Sequence, residues 1–149
     1  MIDSHCHLYF ESIKKDFNNI ILRAKLNKVT SILTINTNPD EFSEHLNLIS
    51  NFKNIYISYG LHPEEITQGT LFNIEDLLLN CNNPKVIGLG ETGLDFFHTI
   101  ENKSKQYDIF ETHIEASIKT SLPLIIHQRN SENEIINLLR KYKNYNLAV

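Results

Sequence analysis

Short runs of β-branched and apolar residues recur along this chain at intervals of about 30 residues, each followed by apolar positions at helical spacing, the pattern of repeated βα units. The runs cover residues 2–8, 29–35, 55–59, 86 to the carboxylate of Glu91, and 122–126. Most are continuous rather than alternating, so both faces are expected to be buried and the strands to form a parallel sheet covered by helices. Helices are predicted on Ile13, Phe17, Ile20, Ile21 and Ala24; on Phe42, Leu46 and Ile49; on residues 72–79, with Asn73 as cap; on Tyr107, Phe110, Ile114 and Ile118; and on Ile135, Leu138, Leu139 and Tyr142. Ser131–Glu134 reads as a capping box opening the last of these, and residues 146–149 read as the start of a sixth strand.

The net charge of -4 and a pI near 5.9 argue against a surface that holds nucleic acid by diffuse phosphate neutralisation. A nucleic-acid substrate would have to be gripped at a focused site. No run approaches the ~18 apolar residues of a membrane span, and Met1–His5 carries no signal-peptide features, so no membrane partner and a cytoplasmic location are expected. Cys6 and Cys81 lie far apart, outside any C-x-x-C pair, and are expected to be reduced and structural.

The polar residues at the ends of the strands carry the chemistry. His5 and His7 are two apart on a strand and so project to one face. Glu91 closes an apolar run, and burying its ionised carboxylate requires a cationic partner, either a metal ion or an arginine. His5, His7, His62, Glu91 and His127 all fall at the carboxyl ends of strands, the edge where α/β folds build their sites. Each alone has a plain structural reading: H-x-H pairs arise by chance, Glu91 could serve the Gly93 turn, and His127 could be a satisfied core histidine. Their convergence on one rim favours metal ligation. His62 contacts either substrate or backbone. Asp95 and Arg129 could form a salt bridge, support the ligands or touch substrate. His45, His98 and His113 are expected at the surface or in the core.

Four segments, Asp3–Leu8, Gly60–Pro63, Gly88–Phe96 and Pro123–Arg129, resemble in order the motifs of the TatD family of metal-dependent deoxyribonucleases, amidohydrolase-like TIM barrels. The resemblance implies a (β/α)8 barrel in which His5 and His7 bind one divalent metal, Glu91 bridges two as the catalytic carboxylate, and His127 binds the second. It also implies substrate contacts at His62, and Arg129 is taken with it as substrate-binding. A complete barrel needs ~250 residues. Residues 1–149 are therefore expected to form one domain incomplete at its C-terminus: a partial TIM barrel of the first five βα units plus the start of strand six. The family's further metal-binding His and Asp, after strands six and eight, have no counterpart here.

The expected function is metal-dependent hydrolysis of DNA or another phosphodiester by a water activated between two divalent ions, Zn, Mn or Mg. With part of the ligand set missing, weak metal binding and little turnover are expected. The alternatives are an inactive remnant of a truncated gene and a small-ester or amide hydrolase of the same superfamily. Open barrel edges are expected to favour aggregation or self-association.

Overall fold

The computed structural model describes residues 1–145 and 148–149. Five strands lie parallel and in sequence order: β1 (Ile2–Cys6), β2 (Ser31–Thr34), β3 (Ile55–Tyr59), β4 (Val86–Asp95) and β5 (Leu124–Arg129). They form a curled half-barrel. The intervening helices are α1 (Glu11–Lys14), α2 (Phe17–Leu26), α3 (Phe42–Ile49), α4 (Ile74–Asn80), α5 (Lys103–Thr120) and α6 (Glu132–Lys141). Strand order follows chain order because each βα unit returns the chain beside the strand it has just left.

The core lies between the sheet and its helices. Ile32, Ile55, Ile57, Val86, Leu89, Leu94 and Leu124 from the strands pack with Phe17, Phe42, Ile49, Leu77, Phe110, Ile114 and Leu138 from the helices in a single cluster. Burying such side chains contributes roughly 1.5–3 kcal/mol each. Cys6 and Cys81 are free and half-buried, and burial pushes their thiols up to about 12 and about 11. No helix among the described residues is long and apolar enough to cross a membrane.

Several local features differ from the sequence reading. The first helix is broken at Lys15 and Asp16 into α1 and α2. Asp16 instead turns its carboxylate onto Asn19, at 2.6 Å, and onto Arg23, at 2.8 Å. Ser131 does not cap α6. Its hydroxyl, fully buried, donates to the Leu94 carbonyl at 2.7 Å, satisfying a backbone acceptor near the end of β4 that water cannot reach. Asn73 does cap α4, accepting from the Asp76 N–H at 2.9 Å. The predicted sixth strand includes Asn146 and Leu147, which lie outside the described residues; beside it, the Leu124 N–H donates to the Ala148 carbonyl at 2.9 Å.

The difference that matters most for the site is in β4. The strand does not end at Glu91 but continues to Asp95. Leu89 pairs with Leu124 and Thr92 with Ile126, so Gly90 and Glu91 together oppose Ile125 alone. This is a bulge, which re-aims the side chain it carries. Gly90 and Gly93 adopt φ of 131° and 141°, and a Cβ on either would collide with a β5 carbonyl oxygen, Ile125 or His127 respectively. Glycine at both positions lets β4 and β5 approach closely enough to set Glu91 beside His127.

Two outcomes follow for stability. Gly93→Ala should lower the free energy of unfolding by about 3 kcal/mol or more in urea titrations, because strained φ and overlap with β5 add together. His113 should make stability pH-dependent. Its ring is fully buried, Nδ1–H donates to the Ile109 carbonyl at 2.8 Å and Nε2 accepts the Leu61 N–H at 3.3 Å. Burial lowers its pKa from 6.5 to about 4, against the Ile109 bond. The unfolded chain therefore binds the proton first, so stability present above pH 6.5 is lost as pH falls towards 4. By pH 4.5 the loss amounts to about 2–3 kcal/mol. His113→Gln should flatten the dependence of the urea midpoint on pH between 7 and 4.5.

Candidate metal centre

The β4 bulge places the Glu91 carboxylate, 8% exposed, at the carboxyl rim of the sheet among four imidazoles. Its Oε2 faces Nε2 of His5 at 3.5 Å and Nε2 of His7 at 3.8 Å. Its Oε1 faces Nδ1 of His127 at 3.3 Å and Nε2 of His62 at 3.8 Å. One carboxylate thus divides two histidine pairs. Burial acts to raise the Glu91 pKa, but His127, His62 and His5 outweigh it and the net shift is downward.

Each histidine is set by its element. His5 lies on β1 and His7 follows it, with their rings 5.2 Å apart. Burial lowers the His7 pKa, favouring the neutral ring that a metal requires. His62 follows β3 just before Pro63, whose turn offers the Glu64 N–H to His62 Nδ1 at 3.2 Å. Burial and the neighbouring His127 lower the His62 pKa to about 4.

His127 on β5 is held from behind by Asp95, which is fully buried and lies 2.9 Å from Nε2. Burial acts to raise the Asp95 pKa, yet the N–H of His98, the His127 and His98 rings and the N–H of Phe97 together hold it at about 2. The carboxylate is therefore ionised. In the neutral form of His127, Asp95 fixes the proton on Nε2 and leaves the Nδ1 lone pair facing Glu91. Such carboxylate–histidine pairs orient metal ligands. His62, with Nδ1 occupied as an acceptor, carries its own proton on Nε2, 3.0 Å from that same Nδ1.

Two groups of side chains place their donor atoms within 4.8 Å of one another around Glu91: His5, His7 and Glu91, and His62, Glu91 and His127. Imidazole nitrogens with a shared carboxylate suit a borderline divalent cation such as zinc, and the donors fit such an ion at His5, His7 and Glu91 and, with His62 presenting a proton, at Glu91 and His127 alone on the other side. A third group, Glu64, Asp95 and His98, lies behind His127. Here His98 Nδ1 is 2.8 Å from Glu64 and 3.3 Å from Asp95. His7, His62, Glu91 and His127 share a recess of about 300 Å³ with Phe10, Thr37, Glu64 and Glu65.

Five of the six site residues expected from sequence, His5, His7, His62, Glu91 and His127, come together here. The sixth, Arg129, does not join them: its guanidinium lies over the Phe97 ring, 4.4 Å from the centroid. It is the register partner of Asp95, but the Asp95 carboxylate is engaged by His127 and His98. His45 and His113 are core residues and His98 is exposed in the turn after β4, as expected, and from there its ring also reaches Glu64 and Asp95 behind the site. For Asp95, whose supporting role was one of three open readings, the deciding signal is period two on β4: Glu91, Gly93 and Asp95 share a face once the strand is carried past Glu91.

A family model described as TatD related DNase matches residues 2–149. An uncharacterized metal-dependent hydrolase of Buchnera aphidicola subsp. Baizongia pistaciae is 38% identical over 144 residues, covering 95% of this chain and 54% of that protein. Deoxyribonuclease Tat-D of Schizosaccharomyces pombe is 31% identical over 150 residues, 91% of this chain and 47% of that protein. Among solved structures, YJJV, a TatD homologue from Escherichia coli K12, superposes with a TM-score of 0.83 at 26% identity, covering 95% of this chain and 56% of that one. The chain spans about half the length of the curated relatives it matches.

Asp95→Asn keeps an acceptor for the Phe97 and His98 N–H groups but removes the charge that fixes His127. Zinc affinity, measured by competition with a chromogenic chelator, should fall by about 10- to 100-fold. An unchanged affinity would mean that Asp95 serves only the turn.

Proposed function

Because the chain belongs to the TatD-related DNase family, we propose that its rim cluster is the centre of a hydrolase that cleaves phosphodiesters with two divalent cations, one on each side of Glu91. The observation that carries this reading is the division of the Glu91 carboxylate, with Oε2 towards His5 and His7 and Oε1 towards His62 and His127. His5 Nε2, His7 Nε2 and Glu91 Oε2 would hold one cation, and Glu91 Oε1 with His127 Nδ1 the other. When bound, such ions polarise a phosphoryl oxygen and lower the pKa of water, the chemistry of metal-assisted hydrolysis.

The protein's own groups do the rest. The buried Glu91 supplies negative charge shared between the two positions, without which two cations at this spacing would repel each other. Asp95 keeps the His127 proton on Nε2 and its lone pair forward. His62, neutral at pH 7 with its proton on Nε2, donates to a non-bridging phosphate oxygen. Arg129 contributes positive charge at the rim for the substrate's remaining phosphates. Zinc and manganese are favoured over magnesium because the donors are mostly imidazole. DNA is the favoured polymer, supported by the name of the fission-yeast relative.

The test is hydrolysis of bis(p-nitrophenyl) phosphate against p-nitrophenyl acetate by chain stripped with chelator and reloaded with zinc or manganese. Phosphodiester cleavage should require the metal and fall at least about 100-fold in Glu91→Gln, in line with the loss of a key electrostatic group. Cleavage of the carboxylic ester alone would replace this reading with that of a small-ester hydrolase.

A further inference from the structure

Phe10 breaks a local rule at the mouth of the recess. It is the N-cap of α1, where Ser, Thr, Asp or Asn would satisfy an orphan N–H, and it makes no side-chain cap bond. Its backbone is nevertheless pinned: the Ile13 and Lys14 N–H groups each donate to the Phe10 carbonyl at 2.8 Å. Violations of local preference concentrate at functional positions. The ring is 49% exposed, and it lies parallel to the His7 imidazole, with centroids 4.4 Å apart and planes at 11°. It shares one recess with His7, Glu91 and His127.

The remaining walls have a distinct chemistry. Glu64 and Glu65 line the same recess, and a second recess on Phe10 is lined by Glu11, Glu41 and Glu65 with a single cation, Lys14. Carboxylates in this number repel phosphate away from the cation positions. They accept hydrogen bonds from exocyclic amino groups, as Glu and Asp do from cytosine. Glu64 Oε1 meets His98 and Glu65 Oε2 meets Asn38, so each uses one oxygen in these contacts. A flat apolar ring beside carboxylates suits an uncharged aromatic heterocycle bearing an amino group.

We propose that Phe10 is the stacking platform for the nucleobase next to the scissile phosphodiester, and that Glu64 and Glu65 select bases carrying an exocyclic amine. This rests on the phosphodiester reading above and names the part of the substrate that the site reads. The stack on His7, on a backbone pinned by Ile13 and Lys14, orders the ring before substrate arrives, so little side-chain freedom is lost on stacking. The contact tolerates any base, because every base has a π-face, and the carboxylates add the preference for cytosine, adenine or guanine over thymine.

The chain contains no tryptophan, so Phe10→Trp introduces a single indole that reports stacking directly. Binding of phosphorothioate dinucleotides to the zinc-loaded chain would be compared for d(CpC), d(TpT) and the same diester with both bases removed. The wild-type chain should bind d(CpC) about tenfold tighter than the abasic diester. Phe10→Tyr and Phe10→Trp should keep that ratio and Phe10→Leu should abolish it, while only base-bearing diesters quench the indole. Preference for d(CpC) over d(TpT) should be about fivefold and should shrink in Glu65→Gln. Equal binding of the base-bearing and abasic diesters, or a ratio that survives Phe10→Leu, would overturn the platform and leave the phosphodiester reading standing. Equal binding of d(CpC) and d(TpT) would overturn the amine selection. Failure of every diester to bind a chain that does bind zinc would remove the phosphodiester reading itself.

Discussion

A carboxylate that is 8% exposed at the centre of a protein rim must be answered by positive charge or by hydrogen-bond donors, and this constraint organises the site. Glu91 meets four imidazoles and no arginine or lysine within ion-pair distance among the described residues. Imidazoles are half-answers: burial lowers the pKa of His7 and His62, favouring their neutral rings, whereas Glu91 and Asp95 outweigh burial at His127 and raise its pKa. An arginine would have settled the charge permanently and closed the site. Imidazoles, whose protons can be given up near neutral pH, leave the carboxylate able to share a cation.

The packing beneath serves that arrangement. Glu91 can point into the rim because two glycines let β4 approach β5 without a Cβ between them, and because the extra residue of the bulge turns its side chain. The Glu91 N–H, lost to the β4–β5 ladder by the bulge, donates to the Asn36 carbonyl beyond β2 at 3.0 Å. The irregularity is thereby satisfied across the sheet rather than left as a buried orphan donor.

The order and identity of the strands were legible in the sequence because apolar run, turn and helix repeat at a fixed interval. The gathering of His5, His7, His62, Glu91 and His127 at one rim was legible because α/β folds put their sites after strands. Two kinds of feature were not. Ser131 looks like a cap by local chemistry, but a tertiary partner, the Leu94 carbonyl, took its hydroxyl. Asp95 carries three open readings in the sequence, a salt bridge, support of the ligands or a substrate contact, because nothing there shows that β4 runs on past Glu91 to reach it. The geometry selects among these readings, since the Asp95 carboxylate stands 2.9 Å from His127 Nε2 while Arg129 lies over Phe97.

The hydrogen-bond chain around His127 has a consequence for how the two halves of the site are coupled. In the neutral form the Nε2 proton is committed to Asp95, so Nδ1 has one lone pair to give. In this structure the His62 Nε2–H lies 3.0 Å from it. A cation held at His127 Nδ1 would compete with His62 for the same lone pair, and His62 would then direct its Nε2–H elsewhere in the recess that the two rings share. In the phosphodiester reading proposed above, the availability of the His62 donor would thus be tied to occupancy of the His127 position.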